Sequence, residues 1–206
     1  MSQCSRHCEI ARIFDRMRRG FKTQAEKISQ SLREKLNLTV RDKIDPKGFL
    51  ESLGFLVWTP SDVPGIDPSH LAQLTVHDPD SWSGITIREG GATAIVVNST
   101  HPRTRQANTL MHEWAHIELR HKPNRVDRSD AGLLLLSDYP PDFEEEADWL
   151  AGAVLMPRDG LVHFRGSGMS IDDIAGQYGV SLELANWRLR MTGVDKQVQA
   201  RRQYYR

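Results

Sequence analysis

The sequence predicts an α+β fold: a small mixed sheet packed against two helices, with a helical segment at the N-terminus and a helix-turn-helix-like tail at the C-terminus. Three observations predict it. Short β-branched runs bounded by Gly and Pro fill the stretch from Phe55 to Val97. Two longer segments, Asn98 to His121 and Phe143 to Val154, carry apolar residues at helical spacing. From Ile171 the chain reads helix, Gly-containing turn, helix.

Taken in order, Glu9 to Leu36 reads as mostly helical, with Ile10, Ile13, Phe14 and Met17 on one face. Asp45-Pro46 opens a further short helix, and Phe55-Leu56-Val57-Trp58 is an apolar strand. Pro60 to Pro68 is a turn-rich connection. Strands are expected at Leu71 to Val76 and Gly84 to Ile87, with Gly90-Gly91 turning the chain into a strand from Ala92 to Asn98. Asn98, Ser99, Thr100 and Pro102 can end that strand and start a helix whose buried face holds Leu110, Trp114 and Ile117; Lys122-Pro123-Asn124 stops it. In the second long helix Phe143, Ala147, Leu150, Ala151 and Val154 mark the buried face. The chain divides into a helical segment at 1–45, a core at 46–165 and a tail at 166–206 packed on that core.

The first long helix contains His112-Glu113-Trp114-Ala115-His116. Four residues along a helix turn through about 400°, so both imidazoles leave the same face one turn apart, in position to chelate zinc. Glu113, about 100° round from His112, stays out of the ligand set and is placed to take a proton from an activated water. Such a short pattern also arises by chance, so its placement on a half-buried helix matters. His121 lies about 140° round from His116, which separates it from the same metal and makes it a surface or helix-end residue.

A catalytic zinc site needs a third protein ligand. Glu144 borders the buried face of the second helix and is the preferred candidate, with Asp148 one turn later accepting from the far nitrogen of a ligand histidine. Glu145 points elsewhere. Asp127, Asp130, Asp138 and Asp142 are other oxygen ligands within reach of the connection.

The run Asn98 to His121, the segment Glu144-x-x-Ala147-Asp148-x-x-Ala151 ending in Leu155-Met156-Pro157, and the tail from Ile171 to Gly193 resemble the ImmA/IrrE family of metallo-endopeptidases. The resemblance covers most of the chain after about residue 46, and its specific part is the zinc motif combined with the Glu-x-x-Ala-Asp segment. It implies a zincin-like core in which His112, His116 and Glu144 bind Zn2+ and Glu113 is the catalytic acid/base. It also implies a protein substrate, a helix-turn-helix repressor of a phage, mobile element or stress operon, in a bacterial or phage setting. The chain carries Ala115 where many relatives have Gly, and Arg120 where they have an additional His.

Twenty-seven basic and 27 acidic residues leave no net charge, so no global basic field points to nucleic acid. The longest apolar runs, such as Leu133 to Leu136, are too short to cross a bilayer, and the N-terminus lacks a signal-peptide core, which predicts a cytoplasmic protein. Cys4 and Cys8 form neither a metal site nor a disulfide framework and read as reduced and incidental. Arg188 and Arg190 in the tail could contact phosphates, but the apolar Leu182, Leu184, Trp187 and Leu189 favour packing over DNA binding. The reading is zinc-assisted peptide hydrolysis, with Ala92 to Val97 as an edge strand for the substrate backbone and His101, Tyr139 and His163 as candidates to stabilise the oxyanion. The alternative is a non-proteolytic transcriptional regulator with structural zinc. A protease held dormant until a signal or partner arrives is a third.

Overall fold

A computed structural model describes residues 17–128 and 134–204 of the chain. Cys4, Cys8, the spacing from Ile10 to Phe14, Asp130 and Leu133 lie outside the described residues.

Among the described residues one mixed sheet of five strands forms, in the order β1-β3-β2-β5-β4: β1 is Leu56–Trp58, β2 Gly84–Glu89, β3 Ala92–Val97, β4 Arg125–Arg128 and β5 Leu134–Ser137. β1 runs parallel to β3, and the other pairs are antiparallel, with Ile85 opposite Val96 and Thr86 opposite Leu136. β3 is therefore a central strand and not the edge the sequence suggested. Its Ala94, Ile95, Val96 and Val97 are all buried, the continuous apolar pattern of a strand covered on both faces. Among the described residues the edges are β1 and β4.

Leu71 to Val76 is also not a strand. Asp67 accepts from Ser69 N at 2.8 Å and Pro68 takes the first helical position, so the segment starts as a helix, Pro68–Ala72, and continues as a π-helical turn over Gln73–His77. Conversely, the apolar run ending at Leu136 is a strand, β5, paired with β2.

The helices are α1 (Phe21–Lys35), α2 (Pro46–Ser52), α3 (Pro68–Ala72), α4 (Arg103–Glu118), α5 (Pro141–Leu155), α6 (Arg158–Gly166), α7 (Ile171–Tyr178), α8 (Leu182–Thr192) and α9 (Val194–Tyr204). α4 lies against β2 and β3, α5 packs on α4, and α1 and α8 pack on α5. α5 is thus enclosed, and every residue from Trp149 to Leu155 is buried. Gly152 allows α8 its close approach, since a Cβ there would sit 2.9 Å from the Trp187 ring and 2.8 Å from the Arg188 side chain.

Enclosure leaves the last carbonyls of α5 without water, and buried side chains replace it. Ser29 Oγ donates to Ala153 O at 2.7 Å, Arg33 Nη2 to Val154 O at 2.9 Å, and Arg188 Nη2 to Met156 O at 3.1 Å. Arg33 also donates to the carbonyls of Thr39 and Asp42, tying the loop after α1 to the same point. Arg188 is fully buried and pairs with Glu26 at 2.6 Å, so it is a packing residue and not the phosphate contact the tail's sequence allows. Replacing Arg33 by Met keeps the volume but strands the buried Val154 carbonyl and frees two part-buried ones. We expect a loss of about 2 kcal/mol in urea unfolding, and a change below about 0.5 kcal/mol would show that this cap is dispensable.

Candidate metal centre

The site is assembled where α4 meets the first turn of α5. Asn98, fully buried at the end of β3, accepts from Thr100 N and Oγ1 and donates to the carbonyls of Pro79 and Trp82. This turn aims α4 across the sheet. Leu110, Met111, Trp114 and Ala115 are buried, with Trp114 edge-on to Phe49 of α2 at 5.3 Å. That fixes the rotation of α4 and carries His112 and His116 to the side facing α5.

His112 Nε2 and His116 Nε2 lie 3.1 Å apart, and Glu144 Oε2 is 3.1 Å from the first and 3.7 Å from the second. Among the described residues these three form the cluster able to hold a metal ion. Tetrahedral zinc with N and O ligands at about 2.0–2.2 Å separates its donor atoms by about 3.3–3.6 Å, so the triangle has the size the ion requires. Glu144 stands in the first turn of α5, where the helix dipole favours an anion. Glu145 is exposed, and Asp138 and Asp142 are not part of the cluster.

Asp148, one turn after Glu144, has Oδ1 2.9 Å from His112 Nδ1. Burial opposes the charged form of His112, but the hydrogen bonds to Asp148 and Glu144 outweigh it and lift the ring from its ordinary 6.5 to about 10. Burial likewise works against ionised Glu144, and the two histidines overcome it and bring its carboxyl down to about 2. His112 and Glu144 thus favour each other's charged forms, as an ion pair does.

Glu113 turns the other way, and its Oε2 accepts from Thr86 Oγ1 at 2.7 Å, a fully buried hydroxyl on β2. Thr86 could be read from the sequence only as an inward strand residue. Of the three oxyanion candidates, Tyr139 stacks on His116 with ring centroids 3.7 Å apart. Burial raises its hydroxyl to about 12. His101 sits beside Asn98 and Asp80, and His163 packs on Phe164, so neither joins the cluster.

His121 departs from the expectation of a surface residue: its side chain is 3 % exposed, stacked on Phe143 at 4.3 Å. The helical projection failed because α4 ends at Glu118 and Arg120 adopts φ 55°, which swings the chain back. His121 Nδ1 then lies 3.0 Å from His116 Nδ1, and its Nε2 lies 3.3 Å from Glu146 Oε2. Glu146, also missed because its neighbours look like a solvated acidic run, is 1 % exposed and receives Arg18 Nε and Nη2, each at 2.7 Å. Burial disfavours its charge, yet the Arg18 hydrogen bonds hold its carboxyl below the usual range.

In metal-free protein the His112 ring is expected to keep its proton through neutral pH and titrate near 10 in NMR. Because the folded value is raised, the stability it contributes is full below 6.5 and is lost as pH rises through about 10. Asp148→Asn should bring the midpoint down. A wild-type midpoint near 6.5 would show that the carboxylates are not held against the ring.

No curated protein and no solved structure matches the chain. The model of the IrrE N-terminal-like domain family, Peptidase_M78, matches residues 75–190, more than half of the chain and the whole of the cluster just described. The protein therefore belongs to the Peptidase_M78 metallopeptidase family, as the resemblance in its motifs implied.

Proposed function

We propose that this protein is a zinc-dependent endopeptidase with a zincin-like site, acting in the cytoplasm on a regulatory protein of the helix-turn-helix repressor class. The observation that carries the reading is the triangle of His112 Nε2, His116 Nε2 and Glu144 Oε2, with Glu113, next to His112 in the chain, held by a hydrogen bond from Thr86. The substrate class rests on the resemblance of the motifs, and family membership supports a protein substrate.

His112, His116 and Glu144 would hold the ion, and Asp148 would accept from His112 Nδ1–H, leaving Nε2 as the ligand atom. Bound there, zinc would supply Lewis acidity to a scissile carbonyl and lower the pKa of the attacking water. Glu113 takes the proton from that water and passes it to the leaving amine. The Thr86 hydroxyl donates to the Glu113 carboxylate and restrains it. Tyr139, whose hydroxyl stays protonated at working pH, is the group we assign as hydrogen-bond donor to the oxyanion.

Metal analysis by mass spectrometry should find about one zinc in wild type and in Glu113→Gln, and none in His112→Ala. A candidate repressor should be cut by wild type, with Glu113→Gln slower by at least about 100-fold. Wild type that holds no zinc and takes up none would remove the catalytic reading. Equal cutting by Glu113→Gln would remove its assigned acid/base. Glu144→Ala binding zinc at full affinity would displace the third ligand.

A further inference from the structure

We propose that His121 is a positioning residue: through a buried chain running from His116 to His121, Glu146 and Arg18, it fixes which nitrogen of His116 is free to ligate. The proposal rests on the metal-site reading above but concerns residues to which that reading gives no role.

The turn after α4 builds the contact. His121 N donates to His116 O at 2.9 Å and Arg120 N to Ile117 O at 3.1 Å, while Arg120 is left-handed at φ 55°. These two bonds make a Schellman motif, which sets the residue two beyond the cap against the residue three before it. Here those residues are His121 and His116, so the usual apolar contact is replaced by a ring-to-ring hydrogen bond of 3.0 Å. The left-handed region is unfavourable for an L-residue, and the motif keeps Arg120 there.

Donor and acceptor counting then fixes the protons. Glu146 is a carboxylate clamped by two bonds from Arg18, and it can only accept. The nitrogen facing it, His121 Nε2, must carry a hydrogen. His121 Nδ1 is then a lone pair in the neutral ring, so His116 Nδ1 must carry the hydrogen between the two rings. His116 Nε2 is left as a lone pair, aimed at His112 Nε2 and Glu144 Oε2, as a metal ligand must be. With the His121 ring neutral, the form its burial favours, the opposite arrangement fails: a hydrogen on His116 Nε2 alone would force His121 to donate from Nδ1 and leave two acceptors facing each other 3.3 Å apart at Glu146. The side chains of His116, His121 and Glu146 are 1 %, 3 % and 1 % exposed, so no bulk water offers substitute partners. Arg18, 60 % exposed, ends the chain at the surface.

Long-range 1H–15N NMR of metal-free, full-length protein reads the tautomers directly. We expect His116 protonated on Nδ1 only and His121 on Nε2 only. A proton on His116 Nε2, in either the neutral or the charged ring, overturns the proposal. Zinc titration of variants supplies a second readout. His121→Phe keeps the stack on Phe143 and should weaken zinc binding by about 10–100-fold with the thermal transition retained, and His121→Asn, whose amide oxygen can accept from His116 Nδ1–H, should recover most of it. His121→Phe binding zinc within about twofold of wild type also overturns the proposal. Failure of wild type itself to bind zinc would defeat the metallopeptidase reading, and the tautomer measurement would still decide the role of His121.

Discussion

The enclosure of α5 is the constraint from which the rest follows. A helix of small and apolar residues covered by α1, α4 and α8 gains most of its stability from burial, at the cost of a C-terminus out of reach of water. Ser29, Arg33 and Arg188 meet that cost from two different helices, and Glu26 neutralises Arg188 while accepting from Arg158 N at the start of α6. Parts of the chain distant in sequence are tied together at one end of one helix. Losing a single cap would expose a buried carbonyl and loosen several elements at once.

The opposite end of the same helix carries the candidate metal cluster. Its first turn offers a favourable field to Glu144, and the following turn offers Asp148, both directed at histidines on α4. Because α5 is clamped at its far end and α4 is fixed by its burial against the sheet, the atoms of His112, His116 and Glu144 that could hold a metal are kept at near-tetrahedral spacing. Preorganisation of this kind converts two packed helices into a site, since ligand spacing is set by interhelical packing rather than by flexible loops.

Most of the secondary structure near the site was legible in the sequence because it depends on local periodicity. The helical spacing of His112 and His116, the apolar stripe of Leu110 and Trp114, and the position of Glu144 beside a buried face are all short-range properties. The errors came where local pattern and long-range pairing disagree. Leu71 to Val76 has strand-like residues but follows an Asp-Pro helix start, and the start decides. The Ala92–Val97 strand seemed to offer an open edge, but β1, far earlier in the chain, pairs with it in parallel.

The His112-Glu113-x-x-His116 spacing, the placement of Glu144 beside a buried helix face, the α+β class and the family were all readable from the chain alone. Each depends on residue type at fixed spacing, and a helix converts spacing into direction without help from the rest of the molecule. That Arg188 faces inward, that Thr86 holds Glu113, and that His121 and Glu146 stand buried behind His116 emerged from packing between elements. Those contacts join residues through a left-handed turn or across separate elements. Burial removes the water that would otherwise satisfy such polar groups, so their partners are set by packing, which no periodicity records.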